Sequence, residues 1–481
     1  MSSSSLTILQ INDLHGYLEP HQELFWSGDH PEFRETGGLA RMATLISEAR
    51  SRNPDGVILL DNGDTIHGTY PVVSDRGASL KPILNKLGFD AWTAHWDFAY
   101  GPEYLKQYAN ELDYPLLAVN CYDKETDELV FKPYTILTRN NVRIAIIGVA
   151  ATIVDKVMPE SFHNGVKLTI GEKELRHWIK HVREEEKAEL VIVVSHLGYP
   201  QELKLLSRVD GIDVFLSGHT HNRIRSAAKV NGAIIIQSGC HGSFLGRIDI
   251  NIDDQGVKHY KHRLLEVDIT LPQDPIIRKL VENAVKPHRQ MLSSIIGETR
   301  TNLYRNNVLE STMDNLLLQA IQSYTGAELA FSNGWRYGAP VPAGPITVGD
   351  IWNIIPVNPP VSICKLTGRE VWDMMEQNLE RTFAPDPYDQ MGGYVKRCMG
   401  FNLYFKIENP AGKRITRLFI GGKPVIFDRK YTACYLTEQG VRADYGSDKR
   451  VLDISAVDVL TNYIMDHRVV ESPLRNTINA V

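Results

Sequence analysis

Six residues able to ligate a metal stand just beyond four short apolar runs. Residues 6–11 lead into Asn12-Asp13-Leu14-His15, and residues 57–60 into Asp61-Asn62-Gly63-Asp64. Residues 191–194 lead into Ser195-His196, and residues 214–216 into Ser217-Gly218-His219-Thr220-His221. Carboxylates with imidazoles and no thiolate suit manganese, zinc, iron or cobalt, and disfavour a structural zinc site. Gly16, Gly63, Gly198 and Gly218 allow sharp turns beside these residues. Side chains two apart on a strand point the same way, so Asp13 with His15, and His219 with His221, are expected to converge. A lone Asp before a turn is commonly a cap, and a lone His commonly has no function. Four such phrases in one chain argue for a shared centre.

The elements that must position these residues follow from the same runs. Short β-branched stretches read as buried strands. Helix-like stretches at 38–49 and 171–187 lie between them, giving an alternating α/β pattern. Polar residues at strand ends are where open α/β sheets place their sites. Near residue 271 the texture changes. Asp274-Pro275 reads as a helix start, with helical spacing over 276–284. The expected division is a first domain over 1–270, a connecting helix over 271–297 and a second domain over 298–481. In the second, 313–324 and 368–379 read as helices and 400–406, 415–420 and 431–436 as strands. Turns such as Asn358-Pro359-Pro360 separate them.

Composition narrows the function classes. A chain of 481 residues is expected to hold two or three domains. A net charge of −6 gives no basic footprint, which excludes polymeric nucleic acid as the natural partner while leaving single nucleotides open. Five scattered cysteines with no CxxC pair read as free thiols in a reducing compartment. Met1-Ser-Ser-Ser-Ser carries no basic or apolar leader region, and no apolar run reaches the ~18 residues of a membrane span. The expectation is a cytoplasmic protein without a membrane partner.

The ordered phrases Asp13-x-His15, Gly63-Asp64, His196 and Gly218-His219-x-His221 resemble the motifs of the calcineurin-like metallophosphoesterases. Asn333-Gly334-Trp335-Arg336, Gly344-Pro345-Ile346-Thr347 and Leu366-Thr367-Gly368 are similar to the nucleotidase C-terminal domain. Together they resemble the bifunctional 5′-nucleotidase and 2′,3′-cyclic phosphodiesterase family over nearly the whole chain. The resemblance implies an α/β fold with a four-layer β-sandwich flanked by helices, followed by an α+β substrate domain. It implies two divalent ions, manganese first, with zinc, cobalt or iron as alternatives. Asp13, His15 and His221 would hold one ion, His196 and His219 the other, and Asp64 both. It also implies a metal-bound hydroxide as nucleophile and a nucleotide or related phosphate ester as substrate.

One stretch departs from the family pattern. Where the family reads Gly-Asn-His-Glu-Phe-Asp-x-Gly, this chain reads Ala94-His95-Trp96-Asp97-Phe98-Ala99-Tyr100-Gly101. His95 takes the place of the ligand Asn and is itself a candidate ligand. Trp96 and Ala99 replace the catalytic His–Asp dyad, and neither can exchange a proton. Candidate proton donors are then His67, His241 and Asp97, the last also a candidate to orient His95. The Trp, with Asp386-Pro387-Tyr388 and Gln390-Met391-Gly392-Gly393, is similar to the thiosulfohydrolases of bacterial sulfur oxidation. Sulfur-ester hydrolysis and a metal-bound scaffold without turnover are therefore the alternatives. In the second domain, Arg336 and Arg397 are the candidates to grip phosphate, Asn333 to shape the loop, and Phe401 or Tyr404 with Tyr445 to stack a base.

Overall fold

The apolar runs form two sheets whose central strands run parallel. A computed structural model describes residues 4–253 and 256–481, which fall into two compact units. The first runs to Glu23 and resumes over Arg34–Pro287; the second comprises Leu24–Phe33 and His288–Val481. In the first unit, Ser4–Ile11, Val57–Asp61 and Ala91–Trp92 are successive parallel neighbours. Phe244–Asp253 and Gly256–Glu266 complete that sheet in antiparallel fashion. The second sheet sets Val142–Val149, Leu190–Ser195, Val214–Leu216 and Ala233–Ile236 in parallel, with antiparallel edges at Tyr134–Arg139 and Ala228–Val230.

The side-chain period of two explains how these sheets are buried. Ile144, Ile146, Ile192 and Val194 face one way and share a core with Leu6, Ile8, Ile58 and Leu60 of the other sheet. Ala145, Ile147, Val191 and Val193 face the opposite way, against Leu175, Ile179 and Val182 of helix Glu172–Glu184 and Leu205 and Leu206 of helix Tyr199–Leu206. Each such Ile, Leu or Val side chain, fully buried, contributes about 1.5–3 kcal/mol. The strands are apolar throughout because both faces are covered.

The segment read as a connector is divided. Helix Pro275–Val285 packs against Leu39–Arg52 and Lys81–Leu87 of the first unit, burying Ile277, Val281, Ala284 and Val285. The Asp274 carboxylate caps it by accepting from Ile276 N and Ile277 N at 2.9 Å each. The second unit is α+β. Its five-stranded sheet has the order Arg397–Met399, Leu329–Ser332, Lys430–Leu436, Pro360–Thr367 and Ser447–Ser455. Helix Gly368–Phe383 covers its core with Val371, Met374, Met375 and Leu379, and begins with a Thr367–Glu370 capping box. Among the described residues no helix is long and apolar enough to cross a membrane, and all five cysteines are buried.

Candidate dinuclear metal centre

Parallel pairing puts one end of five strands side by side, and each strand sends a ligating residue beyond that end. Ile11 is in register with Asp61, Asp61 with Trp92, Val194 with Leu216, and Ser195 with Val149. The chain beyond these ends forms two groups whose ligand atoms all lie within 4.8 Å of one another. One is Asp64, His95, His196 and His219; the other is Asp13, His15, Asp64 and His221. Asp64 is common to both.

Strand alternation does not produce this convergence. The strands stop at Ile11 and Leu216, and Asp13, His15, Asp64, His219 and His221 all have left-handed backbone, with φ between 48° and 71°. His219 and His221 consequently serve different groups. Non-glycine residues held in this region mark a constrained loop. Gly63 completes the turn ahead of Asp64 at φ 88°, where a Cβ would stand 2.6 Å from Thr93 O.

The contacts within the groups are close. His95 Nδ1 lies 3.1 Å from Asp64 Oδ2, and His196 Nε2 lies 3.2 Å from the same oxygen and 3.5 Å from Asp13 Oδ1. His221 Nε2 lies 3.1 Å from Asp13 Oδ1 and 3.2 Å from His15 Nε2. Backbone carbonyls orient two rings: His15 Nδ1 meets His67 O at 3.2 Å and His196 Nδ1 meets Asn62 O at 2.6 Å. If each Nδ1 is the protonated nitrogen, each Nε2 presents a lone pair to the centre, as metal-ligating histidines do. Burial works against charge on Asp64, but His95, His196 and His15 outweigh it and hold its carboxyl well below the usual range. Burial likewise opposes charge on His196, but Asp64 and Asp13 outweigh it and draw positive charge to its Nε2, a place a cation would take from a proton. Asp13 Oδ1, His95 Nε2 and His196 Nε2 are buried and find no hydrogen-bond partner among the described residues. Buried acceptors without donors, in a set of carboxylates and imidazoles, fit divalent cations.

A shell of polar residues that sequence reasoning passed over holds the loops. Asn62 Nδ2 donates to Ser195 O at 2.9 Å and Leu216 O at 2.7 Å, tying the first sheet to the second. Gln10 Nε2 donates to Asn62 Oδ1 and Ser217 O. Asn12 Nδ2 donates to Asp13 Oδ2 at 2.7 Å, and His219 N to the same oxygen at 3.0 Å. Each adjoins or nearly adjoins a ligand in sequence, which was the only signal available.

The candidate proton donors fare differently. Asp97 is fully buried and accepts four backbone N–H groups, from Asp64, Thr65, Ile66 and His95. It binds the backbone of His95 and not its ring, so its work is to fix the loops. Burial and the Asp64 carboxylate push its pKa up, against the four donors that favour its ionised form. His67 stacks on Trp96 with ring centroids 5.0 Å apart, and burial draws its pKa down to about 4. It is therefore neutral at pH 7 and poorly suited to donate a proton. His241 lies beside the centre, its ring centroid 6.0 Å from those of His15 and His221.

The substrate-side candidates lie in the second unit, and two of them are structural. Arg397 is 2% exposed; its Nε stands 3.0 Å from Asp314 Oδ2, and its Nη2 donates to Asn307 O. It is committed to a buried ion pair. Phe401 is core, its ring 5.7 Å from Phe331, and Tyr445 packs at the edge of the same cluster without forming a slot with it. Tyr404 meets Phe419 edge-on at 6.0 Å. Asn333 Nδ2 donates to Gly334 O, shaping its own turn. Arg336 is half-buried over the Tyr394 ring at 5.9 Å, and Tyr394 donates its hydroxyl to Gly334 O. Tyr394, which also carries the Arg397 guanidinium at 4.9 Å, was missed because it reads as a loop aromatic.

Comparison with known proteins agrees with this architecture. Residues 6–223 match the calcineurin-like phosphoesterase family and residues 294–437 the 5′-nucleotidase C-terminal domain. The trifunctional nucleotide phosphoesterase protein YfkN of Bacillus subtilis is 24% identical over 86% of this chain, which spans only 30% of that relative's length. The sulfate thiohydrolase SoxB of Thermus thermophilus has a similar fold, with a TM-score of 0.92 at 24% identity, covering 99% of this chain and 96% of SoxB. So does a 5′-nucleotidase precursor from the same species, with a TM-score of 0.86 at 22% identity, covering 99% of each chain. The two domains are thus matched in order, a calcineurin-like phosphoesterase domain followed by a 5′-nucleotidase C-terminal domain, and the relatives that share them are named as hydrolytic enzymes.

Proposed function

We propose that this protein is a metal-dependent hydrolase of nucleotide or related phosphate esters. The observation that carries the reading is the pair of ligand groups sharing one carboxylate, Asp64. Asp13, His15 and His221 would hold one cation, His95, His196 and His219 a second, and Asp64 would serve both. Bound there, a pair of divalent cations supplies an activated water and neutralises charge gathering on the transferred group. The chain's part is to fix the donors before substrate arrives: Asn62 and Gln10 lock the loops of the two sheets, and Asp97 clamps the turn bearing Asp64. Manganese is the proposed ion, since carboxylate and imidazole ligands without thiolate suit it. Arg336 is the proposed anion-binding side chain of the second unit.

A second reading is sulfur-ester hydrolysis, and Trp96 favours it. Its indole stacks on the uncharged His67 and meets Phe162 edge-on at 5.5 Å, where the family places its proton-exchanging dyad. A nucleoside alkoxide needs a proton to leave, whereas a sulfur anion of low pKa leaves without one. The test is one panel: metal-depleted protein reconstituted with manganese, cobalt or zinc, then offered nucleotides, cyclic nucleotides, sugar phosphates and a thiosulfonate. Metal-dependent phosphate release from nucleotides is expected. Cleavage of the thiosulfonate alone would establish the second reading, and tight metal binding without any turnover would leave a scaffold.

A further inference from the structure

We propose that His21, Glu23 and His241 form a third divalent-cation site, separate from the two groups that share Asp64. Their ligand atoms lie within 4.8 Å of one another, and all three belong to the first unit. His21 and Glu23 are two apart on the strand Pro20–Ser27, which turns both toward His241. The site goes beyond the proposed function and does not depend on it.

Three features distinguish the cluster from an ordinary polar network. His241 is 3% exposed, yet neither ring nitrogen finds a hydrogen-bond partner among the described residues. Burying a polar group without a partner is costly, and a ligated ion would remove that cost. Its nearest carboxylate oxygen, Glu23 Oε2, stands 3.5 Å from Nδ1, long for a hydrogen bond but suited to two ligands of one ion. His21 Nδ1 meets Glu19 O at 3.2 Å, and its Nε2 points inward, 3.1 Å from the Ser243 hydroxyl and 4.0 Å from the same Glu23 oxygen, so Ser243 would have to turn away for that nitrogen to bind an ion. Glu23 is held by its other oxygen, which Arg223 Nη2 contacts at 2.6 Å. That leaves Oε2 toward the imidazoles and the Ser243 hydroxyl, which donates to it at 3.0 Å.

The surroundings hold the three side chains in place. Tyr17 packs 4.4 Å from the His21 ring and 4.3 Å from that of His241, limiting their rotation. The backbone of His241 is fixed by its N–H to Asp13 O at 2.8 Å. Two imidazoles and one carboxylate are a three-ligand set that zinc accepts, with a fourth position open. The His241 ring adjoins those of His15 and His221, so an ion here would add positive charge beside the other two.

Metal content of the full chain, prepared with excess zinc, tests the site, together with anomalous diffraction at the zinc edge. About three zinc ions per chain are expected, falling to about two in His21→Ala and in His241→Ala, with a peak between the three side chains in the unsubstituted protein. Glu23→Gln provides a milder variant should either alanine substitution fail to fold, and the same loss of one ion is expected. An unchanged ion count in the folded variants, or no peak at these side chains, would overturn the proposal. Asp64→Asn separates the two readings: it should release the ions of the shared-carboxylate groups and keep the peak at His241. If it releases none while His241→Ala releases one, the dinuclear reading fails and this site stands.

Discussion

Replacing Asp97 with Asn should destabilise the first unit by about 3–6 kcal/mol while leaving the size of the side chain unchanged. The carboxylate gives one oxygen to Asp64 N and His95 N, at 2.9 and 3.1 Å, and the other to Thr65 N and Ile66 N, at 2.9 and 3.0 Å. An amide has one oxygen. In either orientation its NH2 group faces two backbone donors, so two hydrogen bonds to a charged acceptor are lost, each worth about 1.5–3 kcal/mol. These donors belong to the turn carrying Asp64 and to the residue His95, so metal affinity should fall together with stability. Urea unfolding of Asp97→Asn with and without added manganese measures both. A variant within about 1 kcal/mol of the parent, with unchanged metal affinity and only a displaced pH profile, would refute the structural role and restore Asp97 as a proton donor.

Gly63→Ala should abolish activity in a protein that still folds, because its Cβ would meet Thr93 O at 2.6 Å and displace Asp64; normal kcat would contradict this. Phe401→Ala should cost about 3–5 kcal/mol as a core deletion, and Arg397→Met should cost less, because Arg305 still holds Asp314 Oδ1 at 3.0 Å when the partner of Oδ2 is removed, both read by thermal melting. A raised KM at unchanged stability would return these residues to substrate binding. Lys396 is buried, donates Nζ to Gly440 O, and has its pKa drawn from 10.5 to about 7, first by burial and then by Arg442 and Arg381. The folded pKa lies below the unfolded one, so this contribution is full above about pH 10.4 and is lost as pH falls toward 7. Unfolding free energy of the second unit should therefore rise by a few kcal/mol between pH 7 and 10, and Lys396→Met should lack that rise; equal slopes would contradict it.

The strand ends that gather the ligand groups were legible because Asp or His at the end of an apolar β-branched run adds nothing to the packing of that run. The route by which the side chains converge was not. Asp13 and His15 looked like an alternating pair, yet both sit in left-handed turns whose geometry depends on partners hundreds of residues away, such as Ser217, His219 and Gly239. Gln10, Asn12 and Asn62 were hidden for the same reason: an amide beside a turn reads as a turn former until its distant carbonyl partners are known. The second unit was harder. Phe401 and Arg397 have residue types that suit nucleotide binding equally well as a packed sheet and a buried ion pair, and only burial separates the two. His21 and Glu23 gave no signal, since His241, which completes the cluster, lies in another element of the fold.

The shared carboxylate is tested most directly by phosphate release from nucleotide monophosphates, comparing the metal-depleted, manganese-reconstituted protein with Asp64→Asn treated identically. Turnover is expected in the parent only when metal is restored, and at no metal concentration in Asp64→Asn. Comparable turnover in Asp64→Asn, or in the parent freed of metal, would contradict a hydrolase built on two cations joined by Asp64.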